Sequence, residues 1–179
     1  VQVGRHLPPR PDTLPLFLET FSRAYSPSQY HGAKKLIAAA ASHQRLMWIH
    51  PFVDGNGRVA RLFSDAYLGQ ILTGYGLWTV SRGLARQRND YLVALTQADA
   101  PRQHDYDGRG NLSNQGLLAF CRFFLESCLD QINFMQGLLQ LDALLERIHG
   151  YVEGRRTGLL PFPPLRAEAT EILQAVLLR

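Results

Sequence analysis

Residues 50–61 read HPFVDGNGRVAR, and the reading of this stretch decides the fold around it. Upstream, Leu36, Ala40, His43, Met47 and His50 recur at 4-3-4-3 spacing, so residues 33–49 form a helix that carries all five on one face. That stripe turns His50 inward at the helix's C-terminal end, and Pro51 blocks continuation. A tight loop with Gly55, Asn56 and Gly57 then opens a second helix. Backbone amides in such a loop, together with the positive end of the helix, make an anion site. Arg58 and Arg61, one turn apart, add charge to the same anion. Asp54 at the loop's edge is a lone carboxylate beside a phosphate site, the arrangement Mg²⁺ takes when it bridges protein and phosphate oxygens. His50 is an imidazole able to accept a proton near neutral pH. A base, a metal ligand, an anion nest and two arginines so close together describe phosphoryl or nucleotidyl transfer.

Each part alone is ordinary: a Gly-Asn-Gly turn is commonly just a turn, two arginines at i, i+3 a solvated face, a histidine at a helix end a cap. The combination is what carries meaning. The sequence holds no HExxH, GxxxxGK[ST] or GxSxG and no paired cysteine spacing for zinc.

The stretch resembles the signature of Fic domains, HPFx[D/E]GNGRxxR, at every fixed position. VQVGRHLPPRPDTLPLFLETF is similar to the family's flap strand and Pro-rich link into the next helix. GLARQRNDYLVALTQAD resembles the segment closing around the nucleotide base, and YDGRGNLS the loop before the last long helices, so the likeness runs over about residues 1–150. The resemblance implies an AMP-transferase that moves AMP from ATP to a Ser, Thr or Tyr hydroxyl of a target protein. In it His50 deprotonates the hydroxyl, Asp54 holds Mg²⁺, and Gly55, Asn56 and Gly57 cradle the phosphates. Arg58 supports those phosphates, Arg61 reaches the γ-phosphate, and Phe52 is a packing anchor under the loop. Tyr91 and Asp99 match positions near adenine and ribose, while Leu92 stands where relatives often carry a second Tyr. The flap Val1, Gln2, Val3, Gly4 and Arg5 is expected to pair with an extended target segment by strand addition.

An inhibitory helix of pattern [S/T]xxxE[G/N] is expected upstream of Val1, since its nearest approximation here, HGYVEG at 149–154, lacks the Ser or Thr. With such a helix, Arg61 would take a second role and deAMPylation would become accessible. Other readings stay open: transfer of UMP, GMP, phosphocholine or phosphate, an idle Fic scaffold binding DNA, or a helical interaction module.

The expected architecture is all-α, a Fic-type helical bundle with a short β-hairpin flap. Its domain spans 1–150, a linker 151–164, and a C-terminal helix 165–179 that resembles the start of a winged-helix domain. Four prolines between Pro8 and Pro15 break regular structure, and 14–21 follows as a short helix with Thr13 as N-cap. Val59, Leu62, Phe63 and Ala66 are expected on the core face of a helix over 57–72. Another helix is expected over 81–98, then a polar loop over 101–114. A long helical pattern from 115 to 149 carries the stripe Leu118, Cys121, Leu125, Cys128, Ile132, Met135 and Leu139, with Gly150 as C-cap. That stripe could serve a homodimer.

The chain has 179 residues, 46% hydrophobic and 19% charged, within the range of one globular domain with a sizeable core. A net charge of +4 suits a phosphate-bearing ligand without specifying one. Cys121 and Cys128 would lie about 10 Å apart along one helix, too far for a disulfide, and read as core residues. No export signal is seen and no apolar run reaches the roughly 18 residues of a membrane span, so a cytoplasmic protein without membrane contact is expected.

Overall fold

A computed structural model describes residues 6–177, with the backbone alone described at 141 and 142. The expected flap, Val1–Arg5, lies outside the described residues. The described residues form helices and no strand, with isolated bridges joining Pro101 and Arg109 to Leu112. The helices are α1 (Leu14–Ala24), α2 (Lys34–Ile49), α3 (Asn56–Ile71), α4 (Val80–Arg86), α5 (Arg88–Ala98), α6 (Asn114–Leu138), α7 (Leu141–Arg156) and α8 (Ala169–Leu177). The chain divides into two compact units, 1–132 and 133–179, so the boundary expected at 150 falls inside α7.

Helices α2 and α3 form where expected, because local chemistry fixes their ends. The alanine run 38–41 favours helix, and Pro51 stops α2 just past its last residue. Helix α1 also forms, but Thr13 does not cap it: its hydroxyl donates to the Arg10 carbonyl at 2.8 Å. The expected single helix over 81–98 is two. Thr79 caps α4 by accepting the Arg82 amide, and the backbone leaves helical geometry at Gln87 (φ −103°, ψ 39°).

Three further expectations are corrected. On α3 the buried residues are Asn56, Ala60, Ser64, Tyr67 and Leu68, while Leu62 is 68% exposed. On α6 the buried face is Phe120, Cys121, Phe124, Ser127, Cys128 and Gln131, whereas Leu118 and Ile132 point outward. Gly150 caps nothing: α7 runs through it to Arg156, and the left-handed glycine comes at Gly158 (φ 74°). The cysteines are free and buried, and burial raises their thiols to about 11 at Cys121 and about 12 at Cys128.

The core of the first unit gathers Ala38–Ala40 of α2, Leu68 of α3, Leu84 of α4, Leu95 of α5 and Phe120 and Phe124 of α6. A second cluster of Phe21, Leu46, Ile49 and Ala60 packs directly before His50. Two glycines permit close helix approach: a Cβ on Gly116 would lie 2.3 Å from the Gln97 carbonyl oxygen, and one on Gly83 would lie 3.1 Å from that of Ser127. In the second unit α7 packs against α8, the one helix that forms where a winged-helix start was expected. Glu153, in the approximation to an inhibitory motif, is held by Arg156 at 2.6 Å.

Candidate active site

His50 is the one non-glycine residue with positive φ among the described residues (φ 51°, ψ 57°). Its amide still bonds the Leu46 carbonyl at 3.1 Å, so it is the left-handed terminus of α2, a conformation costing about 1–2 kcal/mol for a non-glycine residue. The reversal turns the chain out of α2, and Pro51 holds it there. His50 Nδ1 lies 3.2 Å from the Met47 carbonyl oxygen. A carbonyl can only accept, so Nδ1 bears the proton in that bond, and in the neutral tautomer so fixed it is Nε2 that carries the free lone pair. The ring is half-buried.

The loop that follows is stapled by Asn56. Its Oδ1 accepts the Phe52 amide at 2.9 Å and its Nδ2 donates to the Phe52 carbonyl at 2.6 Å. Asn56 is buried, and its side chain is fully occupied in shaping the loop. Phe52, expected as a packing anchor, is half-exposed at 50%, and its backbone does the anchoring. Gly55 sits at φ 87° and its carbonyl accepts the Val59 amide, which starts α3. The first-turn amides of Asn56, Gly57 and Arg58 have no intrahelical acceptor and stand at the positive end of the helix.

Both arginines fold back over the glycines. A Cβ on Gly55 would lie 3.3 Å from Arg58 Nη2, and one on Gly57 would lie 3.4 Å from Arg61 Nη1. Arg58 also donates to Asp54 Oδ2 at 3.0 Å, an exposed pair with side chains 71% and 91% accessible. Arg61 is half-buried, and its charge acts on His43 and Tyr91 in the core beneath. No group of three or more metal-ligating side chains occurs among the described residues. Asp54 alone suits Mg²⁺, which keeps its waters and completes its shell with phosphate oxygens, and does not suit a metal that needs an all-protein cage.

A cavity of about 620 Å³ opens beside this loop, lined among others by His50, Trp48, Leu92, Leu95, Thr96 and Asp99. None of residues 54–61 lines it, so His50 is the residue shared by loop and cavity. Asp99 Oδ1 accepts from Gln44 Nε2 at 2.7 Å. Burial raises the Asp99 carboxyl, opposed by His6, by the Gln44 bond and by Arg109. Tyr91 is placed elsewhere: it is 5% exposed, and its hydroxyl lies 2.8 Å from His43 Nε2. Burial pushes that phenol up to about 12. Leu92, next in sequence, faces the cavity while Tyr91 faces the core. Sequence reasoning missed Gln44 and gave His43 no role. The available signal was the shared stripe of His43 and His50.

Part of the chain is similar to known proteins. Residues 1–68 match the family model described as Fic/DOC family. The chain is 40% identical over 99 residues to "Protein adenylyltransferase Fic" of Drosophila grimshawi, over 55% of this chain and 20% of that protein. It is 36% identical over 99 residues to the protein so named in Drosophila yakuba, over 55% of this chain and 19% of that one. With the one in Drosophila melanogaster it shares 41% over 68 residues, 38% of this chain and 14% of the relative. The chain thus spans between about one seventh and one fifth of the length of these relatives. The family match over residues 1–68 includes the whole of the 50–61 stretch, and over that part the chain is similar to the Fic/DOC family.

Proposed function

We propose that the chain transfers AMP from ATP to a Ser, Thr or Tyr hydroxyl of a target protein. The observation that carries this reading is His50: a histidine with Nδ1 turned to the Met47 carbonyl, at the joint between an anion loop and a cavity of nucleoside size. His50 Nε2 takes the hydroxyl proton, the hydroxyl oxygen bonds to the α-phosphorus, and the bond from that phosphorus to the bridging oxygen of pyrophosphate breaks. The first-turn amides of α3 bind the phosphates, with Arg58 and Arg61 offsetting the charge that builds on them. Mg²⁺, held by Asp54, would neutralise phosphate charge. The cavity wall of Leu92, Leu95 and Thr96 excludes water from the nucleoside end, and Asp99 lies within reach of it. The target segment docks along Val1–Arg5.

Holding the reacting groups in place and stabilising charge supply most of the rate, and general base catalysis a further 10²–10⁴-fold or so. The test is intact-mass spectrometry of the protein with ATP and Mg²⁺, alone and with candidate target proteins, beside His50→Ala. An AMP-sized adduct that His50→Ala forms at least about 100-fold more slowly is expected. A phosphate-sized adduct, or equal labelling by both proteins, refutes the reading.

A further inference from the structure

Beneath the site lies a polar chain that the transfer reaction does not itself use. His43 is fully buried on α2, stacked on Phe120 (5.8 Å, 21°) and edge-on to Tyr91 (5.6 Å, 73°). Its two nitrogens are both engaged, Nδ1 with Ser64 Oγ at 2.7 Å and Nε2 with Tyr91 Oη at 2.8 Å. The direction of each bond is forced. The Ser64 hydroxyl donates to the Ala60 carbonyl at 2.9 Å, so towards His43 it can only accept. Nδ1 therefore donates, Nε2 is left as an acceptor, and Tyr91 donates to it. One tautomer of a neutral imidazole satisfies the whole chain. Burial, aided by the neighbouring Arg61 charge, keeps the ring neutral by lowering its pKa to about 3.

The three members sit on the three helices that build the site. His43 lies on α2 two turns before His50, the residue that ends that helix, about 10.5 Å along the axis. Ser64 lies one turn after Arg61 on α3. Tyr91 lies on α5, whose next residues Leu92, Leu95 and Thr96 line the cavity. Resting on the transfer reading above, we propose that His43 is a positioning residue: through the bonds Tyr91–His43–Ser64 it fixes α2, α3 and α5 relative to one another, and so holds the His50 base, the Arg61 guanidinium and the cavity wall in register. An apolar contact could pack these helices but would leave sliding and rotation cheap. Two short hydrogen bonds with a single allowed direction make such a shift cost an unpaired buried group.

The experiment compares the parent chain with Tyr91→Phe and Ser64→Ala, each of which deletes one hydroxyl and keeps the rest of the shape. Two readouts are taken: the ¹⁵N signals of the His43 and His50 rings without any substrate, and kcat and KM of AMP transfer with MgATP. In the parent, His43 should show a neutral ring protonated on Nδ1 that does not titrate between about pH 5 and 8. Both variants should unfold cooperatively, shift the His50 signals, and lower kcat roughly 10–100-fold with KM changed less than about threefold. Ser64→Thr, which restores a hydroxyl, should bring both readouts back towards the parent. Folded variants with parental His50 signals and parental kcat overturn the proposal. Loss of fold in both variants, unrelieved by Ser64→Thr, overturns it as well, because the chain of bonds is then a stability element alone. A parent that transfers nothing sinks the function proposed above, and the His50 signals still decide the role of His43.

Discussion

Two loops of the first unit are written in nearly the same residues. Residues 53–58 read VDGNGR and residues 106–111 read YDGRGN, each with an Asp-Gly pair, an arginine, an asparagine and a second glycine. Their carboxylates meet opposite ends. Asp54 is 91% accessible and held by Arg58 alone. Asp107 is 1% exposed and accepts the Gln115 amide at 2.8 Å, the Ser113 hydroxyl at 2.8 Å and the Gln103 amide at 3.2 Å. The arginines divide the same way. Arg58 is exposed over its own loop at Gly55, whereas half-buried Arg109 donates to the Ala98 carbonyl at 2.6 Å and the Ser113 carbonyl at 3.3 Å. The second loop thus joins the end of α5 to the start of α6, where Ser113 also takes the Gly116 amide as an N-cap. A charged group committed to the chain's own backbone cannot also receive a ligand. Residue type says what a loop could do, and the partners its groups already have say what is left to do.

The sharpest way to break this contrast is to remove each carboxylate. Asp54→Ala should lower transfer about 10²–10³-fold while stability stays within about 0.5 kcal/mol, since the pair it breaks is exposed. Asp107→Ala should do the reverse, lowering the thermal midpoint clearly with kcat of the remaining folded protein nearly unchanged. Parallel melts and rate measurements check both, and a stability loss at Asp54 as large as at Asp107 would sink the distinction.

Acid sharpens the comparison. His43 is lowered from 6.5 to about 3, so the unfolded chain binds the extra proton between those values. Its contribution is present above about pH 6.5 and is lost as pH falls towards 3, at about 1.4 kcal/mol per pH unit. Asp107, lowered from 3.8 to about 2 chiefly by the Gln115 amide, adds a loss that begins only below about pH 4. Denaturant titrations from pH 7 to 3 should show the first slope in the parent and in Asp54→Ala alike, because the exposed loop takes no part in it. The smallest expected effect is at Gly57. It lies in helical geometry, so Gly57→Ala should stabilise the chain by about 0.5–1 kcal/mol. The added methyl would press on Arg61 at 3.4 Å, and nucleotide affinity measured by calorimetry should fall several-fold.

Much of the fold near the site was legible because its signals are local. Pro51 and the Gly55–Gly57 turn set the end of α2 and the start of α3 within a residue of expectation. The break at Gln87 carries no glycine or proline, and nothing short of packing between α4 and α5 announces it. The stripe on α6 was read from its leucines and cysteines, yet polar Ser127 and Gln131 are buried while Leu118 and Ile132 are not. Their partners explain it: the Ser127 hydroxyl bonds the Phe123 carbonyl, and Gln131 accepts from Arg82 at 2.7 Å. Hydrophobicity alone cannot register a polar group whose bond is met inside the protein, by its own helix for Ser127 and by α4 for Gln131.

The sequence by itself determined the all-helical class and the grouping of His50, Asp54, Gly55, Asn56, Gly57, Arg58 and Arg61 in one short stretch. Those residues are neighbours in the chain, and covalent geometry alone brings them together. Only the tertiary structure decided that Asn56 staples the loop, that Tyr91 turns to the core and Leu92 to the cavity, and that Asp99 is held by Gln44. It alone brought His43, Ser64 and Tyr91 into one chain of bonds across separations of 21 and 48 residues. Such contacts depend on which faces of α2, α3 and α5 meet, and that is set by the packing of the whole core rather than by any local pattern.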